Sequence, residues 1–127
     1  MKLTLRKPQR MQHGVEFRRA REQGRKVVGR LMLLNVLCSD SLPSRRLGLV
    51  TSRKLGGAVV RNRVRRILRE AWRLIQDRVV ARCNVVIVAR HGIVDRSMPE
   101  AQQELVKLLQ VAGALKEPDV NANLTKI

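Results

Sequence analysis

The stretch "GLVTSRKLGGAVVRNRVRRILREAWR", Gly48–Arg73, changes its period part-way along. Leu47, Leu49 and Thr51 alternate on one side of an expected strand over Arg45–Lys54, and the pair Gly56 and Gly57 then breaks the alternation. From Ala58 to about Asp77 the apolar residues recur every three or four positions, the period of a helix. With successive residues roughly 100 degrees apart, Val64, Ile67, Leu68, Ala71, Leu74 and Ile75 fall in one arc, the expected core face, with Trp72 at its margin. Arg61, Asn62, Arg65, Arg66, Arg69 and Arg73 gather within about 140 degrees on the other side.

That second face is almost purely cationic. Between Ala58 and Arg73 six arginines meet a single acid, Glu70. Arginines at i and i+4, as in Arg61 with Arg65, Arg65 with Arg69 and Arg69 with Arg73, repel one another by a few tenths of a kcal/mol per pair. Phosphates would relieve the repulsion, and the planar guanidinium fork suits them better than an ammonium does. Arg53 and Lys54 extend the charge just before the helix. The glycine pair lets the backbone approach an anion closely where the helix presents free N–H groups. The alternative for any charge run is a solvated basic face.

Working outward on the N-terminal side, "RLMLLNVLC", Arg30–Cys38, is a short apolar run dense enough for a buried strand, expected to pair with Arg45–Lys54. Val27–Leu37 and Leu47–Arg53 together can be cut as two strands or three. A short helix is expected over about Val15–Gln23, closed by Gly24 in a C-cap position. Residues 1–12 read as a basic, flexible arm. On the C-terminal side, "NVVIVAR", Asn84–Arg90, is β-branched and continuous, the signature of a central strand buried on both faces. Ser97, Pro99 and Glu100 supply the cap, early proline and capping-box carboxylate of a last helix, whose apolar stripe is Ala101, Leu105, Leu108, Leu109 and Ala112. Residues 116–127 read as a flexible tail. The expected architecture over 1–127 is one α/β domain, an α+β sandwich of order α-β-β-β-α-β-α, with a sheet of about four strands and three helices.

Composition sharpens the partner. Lys and Arg total 27 against 10 Asp and Glu, a formal net charge of +17. Self-repulsion of that size points to a polyanion, nucleic acid before membrane surface. Phe17 and Trp72 are the only aromatics, so an array of stacked bases is excluded and charge must carry most of the affinity. The acids are scattered, which argues against a protein-borne nuclease site with paired metals. His13 and His91 are isolated, and neither Cys38 nor Ser52 has a recognisable activating base. Cys38 and Cys83 lack metal-ligand spacing and read as small buried hydrophobes without a disulfide. No apolar run reaches the roughly 18 residues of a membrane span, and the N-terminus lacks a signal peptide's apolar core. A cytoplasmic nucleic-acid-binding protein is the expectation. On these residues alone a structural RNA-binding protein fits as well, whereas a DNA-binding regulator fits less well because a strand, not a helix and turn, precedes the basic helix.

Gly48–Arg73 also resembles the signature of the bacterial ribonuclease P protein component, whose hallmark is an Arg-Asn-Arg core after a Ser-Lys-Lys, glycine and alanine approach. Arg61, Asn62 and Arg63 match the core, and Ser52–Lys54 reads Ser-Arg-Lys, which keeps the charge. The resemblance implies a left-handed βαβ crossover, an uncommon hand that composition would not suggest. It implies a ribonuclease P protein subunit acting beside a catalytic RNA on the 5′ leader of precursor tRNA, with magnesium held mainly by RNA and one protein copy per holoenzyme. By the same resemblance Arg53, Lys54, Arg61, Asn62, Arg63, Arg65, Arg66, Arg69 and Arg73 are RNA-binding, and Phe17 belongs to a leader-binding cleft. The chain departs from the family pattern at Arg21 and Asn35, which stand at cleft positions often aromatic in relatives. Leader binding is therefore expected to lean on charge and hydrogen bonds.

Overall fold

The computed structural model describes residues 14–116. The expected basic arm, His13 and all of the expected tail except Lys116 lie outside the described residues. The elements are α1 (Gly14–Gln23), β1 (Arg25–Val28), β2 (Met32–Cys38), β3 (Arg46–Val50), α2 (Ala58–Ile75), β4 (Cys83–Ala89) and α3 (Met98–Val111), in the expected order. Three strands, not two, precede α2, because the turn around Gly29 and Arg30 splits the first apolar segment into β1 and β2. Glu104 of α3 seals that turn, its carboxylate accepting the backbone N–H groups of Arg30 at 2.9 Å, Leu31 at 2.7 Å and Met32 at 3.1 Å.

The sheet order is β1-β2-β4-β3. β4 is central, antiparallel to β2 and parallel to β3, as its continuous β-branched run requires. The expected pairing of β3 with β2 is not formed. The apolar β4 inserts between them and β3 becomes an edge, with α2 as the crossover joining two parallel neighbours. β3 also ends early, at Val50 rather than Lys54. Arg53–Leu55 winds into a 3-10 turn that turns Leu55 into the core and leaves Arg53 and Lys54 in solvent. Gly56, at φ 139°, sits where a side chain is strained, so this glycine of the pair makes the entry to α2 possible.

α2 and α3 pack on one face of the sheet and α1 on the other. The main core joins Leu34, Val85 and Ile87 of the sheet to Val64, Leu68, Ala71, Trp72 and Ile75 of α2 and Leu105 and Leu109 of α3. Trp72 is fully buried, so it is a packing residue and no platform for bases, whereas Leu74 leaves the core arc and is exposed. α2 ends at Ile75 and tightens into a 3-10 turn, Gln76–Arg78. The Arg45 guanidinium donates to the carbonyls of Gln76 and, at 2.8 Å, Val79, which satisfies that helix end. Ser97 caps α3 in the expected capping box with Glu100.

The cysteines correct the sequence reading. Cys38 and Cys83 face each other across the β2–β4 register with Cα atoms 4.1 Å apart, and their sulfurs are bonded. Forty-five positions separate them in the chain, and only the pairing of two distant strands brings them together.

Candidate nucleic-acid interface

Two surfaces collect the candidate residues, one on each side of the sheet. The first is an open groove of about 450 Å³ along α2, lined by Asn62, Arg65, Arg66, Arg69, Glu70 and Arg73. The wheel explains its membership, since these positions project from one flank of the helix while Val64, Leu68, Ala71, Trp72 and Ile75 are buried on another. Asn62 is exposed, and its side-chain oxygen accepts from Arg65 at 2.7 Å, holding that guanidinium along the helix. Arg73 donates through Nε to Glu70 at 3.0 Å. This bond holds the Glu70 carboxyl below the usual carboxylate range and raises Arg73 further. α2 begins with no side-chain cap and no acid in its first turn, so its free N–H groups add to the positive field.

The other expected RNA-binding residues lie outside this groove. Arg53 and Lys54 stand exposed on the 3-10 turn before α2. Arg61, expected on the outer face, is half-buried with its Nε out of solvent, because its place on the wheel falls between Leu68 and Trp72. Arg63 projects on the far flank and donates to the Arg96 carbonyl at 3.2 Å, which ties α2 to the loop before α3.

The second surface is a cleft of about 620 Å³ on the α1 face of the sheet. Phe17, Arg21 and Asn35, grouped in one cleft by the resemblance alone, all line it. Its floor follows from the strand registers. Lys26, Asn35, Val86 and Gly48 form one cross-strand row, and Val28, Leu33, Val88 and Val50 form the next. α1 covers the first row in part, with Ala20 and Phe17 against Val86 and Val88 packed beside them, and leaves the two ends of the aliphatic row exposed. Val28 is 55% exposed and Val50 36%. Asn35 is buried in the floor, while Arg18, Arg21 and Lys26 give the rim its charge. The aliphatic row was not legible as a site. The alternation within β4 that turns Val86 and Val88 away from Val85 and Ile87 was its one local trace.

Among the described residues no group of three or more His, Cys, Asp or Glu side chains could hold a metal ion. His91 lies exposed in a 3-10 turn after β4. No helix among the described residues is long and apolar enough to cross a membrane. An arginine groove and an apolar-floored, basic-rimmed cleft can bind phosphodiester and base together.

Comparison with known proteins places this architecture. The family model described as ribonuclease P matches residues 5–113. The ribonuclease P protein component of Symbiobacterium thermophilum is 38% identical over 112 residues, spanning 88% of this chain and 97% of the relative. That of Maridesulfovibrio salexigens is 36% identical over 117 residues, 91% of this chain and 94% of the relative. The structure of the Staphylococcus aureus RNase P protein superposes with a TM-score of 0.76 at 25% identity, covering 85% of this chain and 98% of that one. The Thermotoga maritima RNase P protein shares the fold, with a TM-score of 0.71 at 21% identity over 80% of this chain and 94% of that one.

Proposed function

This chain belongs to the ribonuclease P protein family, and from that membership we propose that it binds both the catalytic RNA of ribonuclease P and the 5′ leader of precursor tRNA. In this reading the α2 groove meets phosphates of the RNA subunit, with Arg53 and Lys54 extending the contact. The cleft holds the single-stranded leader, with Phe17 against one base, the aliphatic row under its neighbours and Arg18, Arg21 and Lys26 near the backbone. The observation that carries the reading is the opposition of the two surfaces: α2 packs on one face of the sheet and the cleft opens on the other. One protein copy can then touch RNA subunit and substrate at once.

Cleavage itself is assigned to the RNA. Magnesium, the expected cofactor, takes oxygen ligands. The α2 groove offers it one carboxylate, and Glu70 is already engaged by Arg73. These residues do not suit the ion, so RNA is the proposed ligand. The arginines contribute by screening phosphate repulsion between RNA subunit and substrate.

The test reconstitutes the protein with a bacterial ribonuclease P RNA and follows leader removal at low magnesium. Stimulation over RNA alone, reduced by Phe17→Ala for a leader-bearing substrate, is expected. Absence of stimulation, with tight binding to ribosomal RNA instead, would overturn the reading in favour of a structural RNA-binding protein.

A further inference from the structure

We propose that the ion pair between Glu16 and Arg46 is a positioning device for the cleft, an inference that rests on the leader-binding reading above. It fixes the first turn of α1 to the edge strand β3 and thereby sets Phe17 at its height over the aliphatic row.

α1 is weakly anchored by apolar contact, since Ala20 is its one fully buried residue. Two polar devices hold its ends. At the C-terminal end Gly24 donates its N–H to the Ala20 carbonyl at 3.0 Å, and a Cβ there would stand 2.7 Å from the Val36 carbonyl oxygen. Only glycine allows this approach to β2. At the N-terminal end the Arg46 guanidinium donates to Glu16. The helix thus crosses the sheet from β3 to β2, and Phe17 is the residue next to the pin.

The surroundings show that the pin is built rather than incidental. Both side chains are about three-quarters buried, at 26% exposure for Arg46 and 21% for Glu16. Arg46 stands in register with Asn84, itself 3% exposed. Arg46 Nε, Glu16 Oε2 and Asn84 Oδ1 are all out of solvent without a partner. One donor and two acceptors therefore remain in a site where a lost charge would leave the other unpaired and desolvated. Charge also demands the pin. α1 carries Arg18, Arg19 and Arg21 over a sheet face bearing Lys26 and Arg46, and Glu16 converts the Arg46 repulsion into attraction.

The experiment uses holoenzyme reconstituted with a bacterial ribonuclease P RNA and measures affinity for precursor tRNA and for mature tRNA lacking a leader. Glu16→Ala should weaken precursor binding about tenfold while leaving mature-tRNA affinity and RNA-subunit affinity unchanged. The swapped pair Glu16→Arg with Arg46→Glu should restore most of the leader-dependent share, and Glu16→Gln, which keeps an acceptor and the volume, should fall between. Full leader preference in folded Glu16→Ala or Glu16→Gln protein, with preference lost in Phe17→Ala, would overturn the inference and spare the cleft reading. A wild-type holoenzyme indifferent to the leader would overturn both.

Discussion

If the α2 groove meets phosphates, its arginines should appear in the salt dependence of RNA binding. Consider Arg65, Arg66 and Arg69 replaced together by glutamine, which keeps helix propensity and side-chain length. Each neutralised phosphate contributes about 0.7 to 0.9 to the log–log slope of affinity against salt. Three lost contacts should flatten that slope by about 2.1 to 2.7. Between about 50 and 200 mM salt the wild type should therefore lose roughly 18- to 42-fold more affinity than the variant. Stability should move the other way. The change removes the repulsions of Arg65 with Arg61, of Arg65 with Arg69 and of Arg69 with Arg73, worth a few tenths of a kcal/mol per pair, against one exposed bond from Arg65 to Asn62. The melting temperature should hold or rise. Arg63→Gln provides the contrast, because Arg63 lies outside the groove and contacts the Arg96 carbonyl; its slope should match wild type. Salt titrations of ribonuclease P RNA binding by fluorescence anisotropy read the slopes and calorimetry reads the stability. Parallel slopes for wild type and triple variant, or a destabilised triple variant, would refute the assignment of this face to phosphate.

Glu70→Gln should remove the carboxylate that engages Arg73, tightening RNA binding and steepening the salt slope by about 0.7 to 0.9; unchanged affinity would mean that Arg73 takes no phosphate. Ser97→Ala should cost about 1 kcal/mol in urea unfolding by loss of the α3 cap. The Glu100 carboxyl is held below its usual range first by the Ser97 N–H, then by the Ser97 hydroxyl and Arg96. A depressed folded pKa stabilises above the unfolded value, so the deficit of Glu100→Gln should be constant above about pH 5. It should shrink as pH falls through the depressed folded value, and a deficit growing toward acid would contradict the capping role. Reduction of Cys38–Cys83 should destabilise the chain by about 4 kcal/mol at most on loop-closure entropy for a 45-residue separation; coincident urea curves with and without reductant would show that the bond adds nothing.

What could be read along the chain and what could not divide on physical grounds. α2 was legible because its period and its excess of arginine are local. So was α3, whose capping box lies within four residues, Ser97 to Glu100. The position of β4 followed from Val85, Val86 and Ile87, a run that only a covered strand tolerates. The partner of β3, the bond between Cys38 and Cys83, and the row Val28, Leu33, Val88 and Val50 were hidden for one shared reason: each depends on register between strands distant in sequence. The margins of α2 were misjudged for a related reason. The wheel gives angles between residues, but where the core lies is set by tertiary packing, which buries Trp72, half-buries Arg61 and leaves Leu74 outside.

The hidden row bears most on function. Arg21 and Asn35 bring no ring to the cleft they line, and Trp72 is buried on the opposite side of the sheet. Among the described residues Phe17 is therefore the one aromatic ring of the cleft. On the proposed reading a leader must find its remaining apolar contact in aliphatic side chains, which have area to offer but no ring to stack upon. Aliphatic contact is less directional than stacking, so the height of Phe17 over the floor matters more in this chain than where several rings share the task. That gives the Glu16–Arg46 pin its weight. On the proposed reading, leader affinity depends on how α1 is held as well as on which side chains it presents.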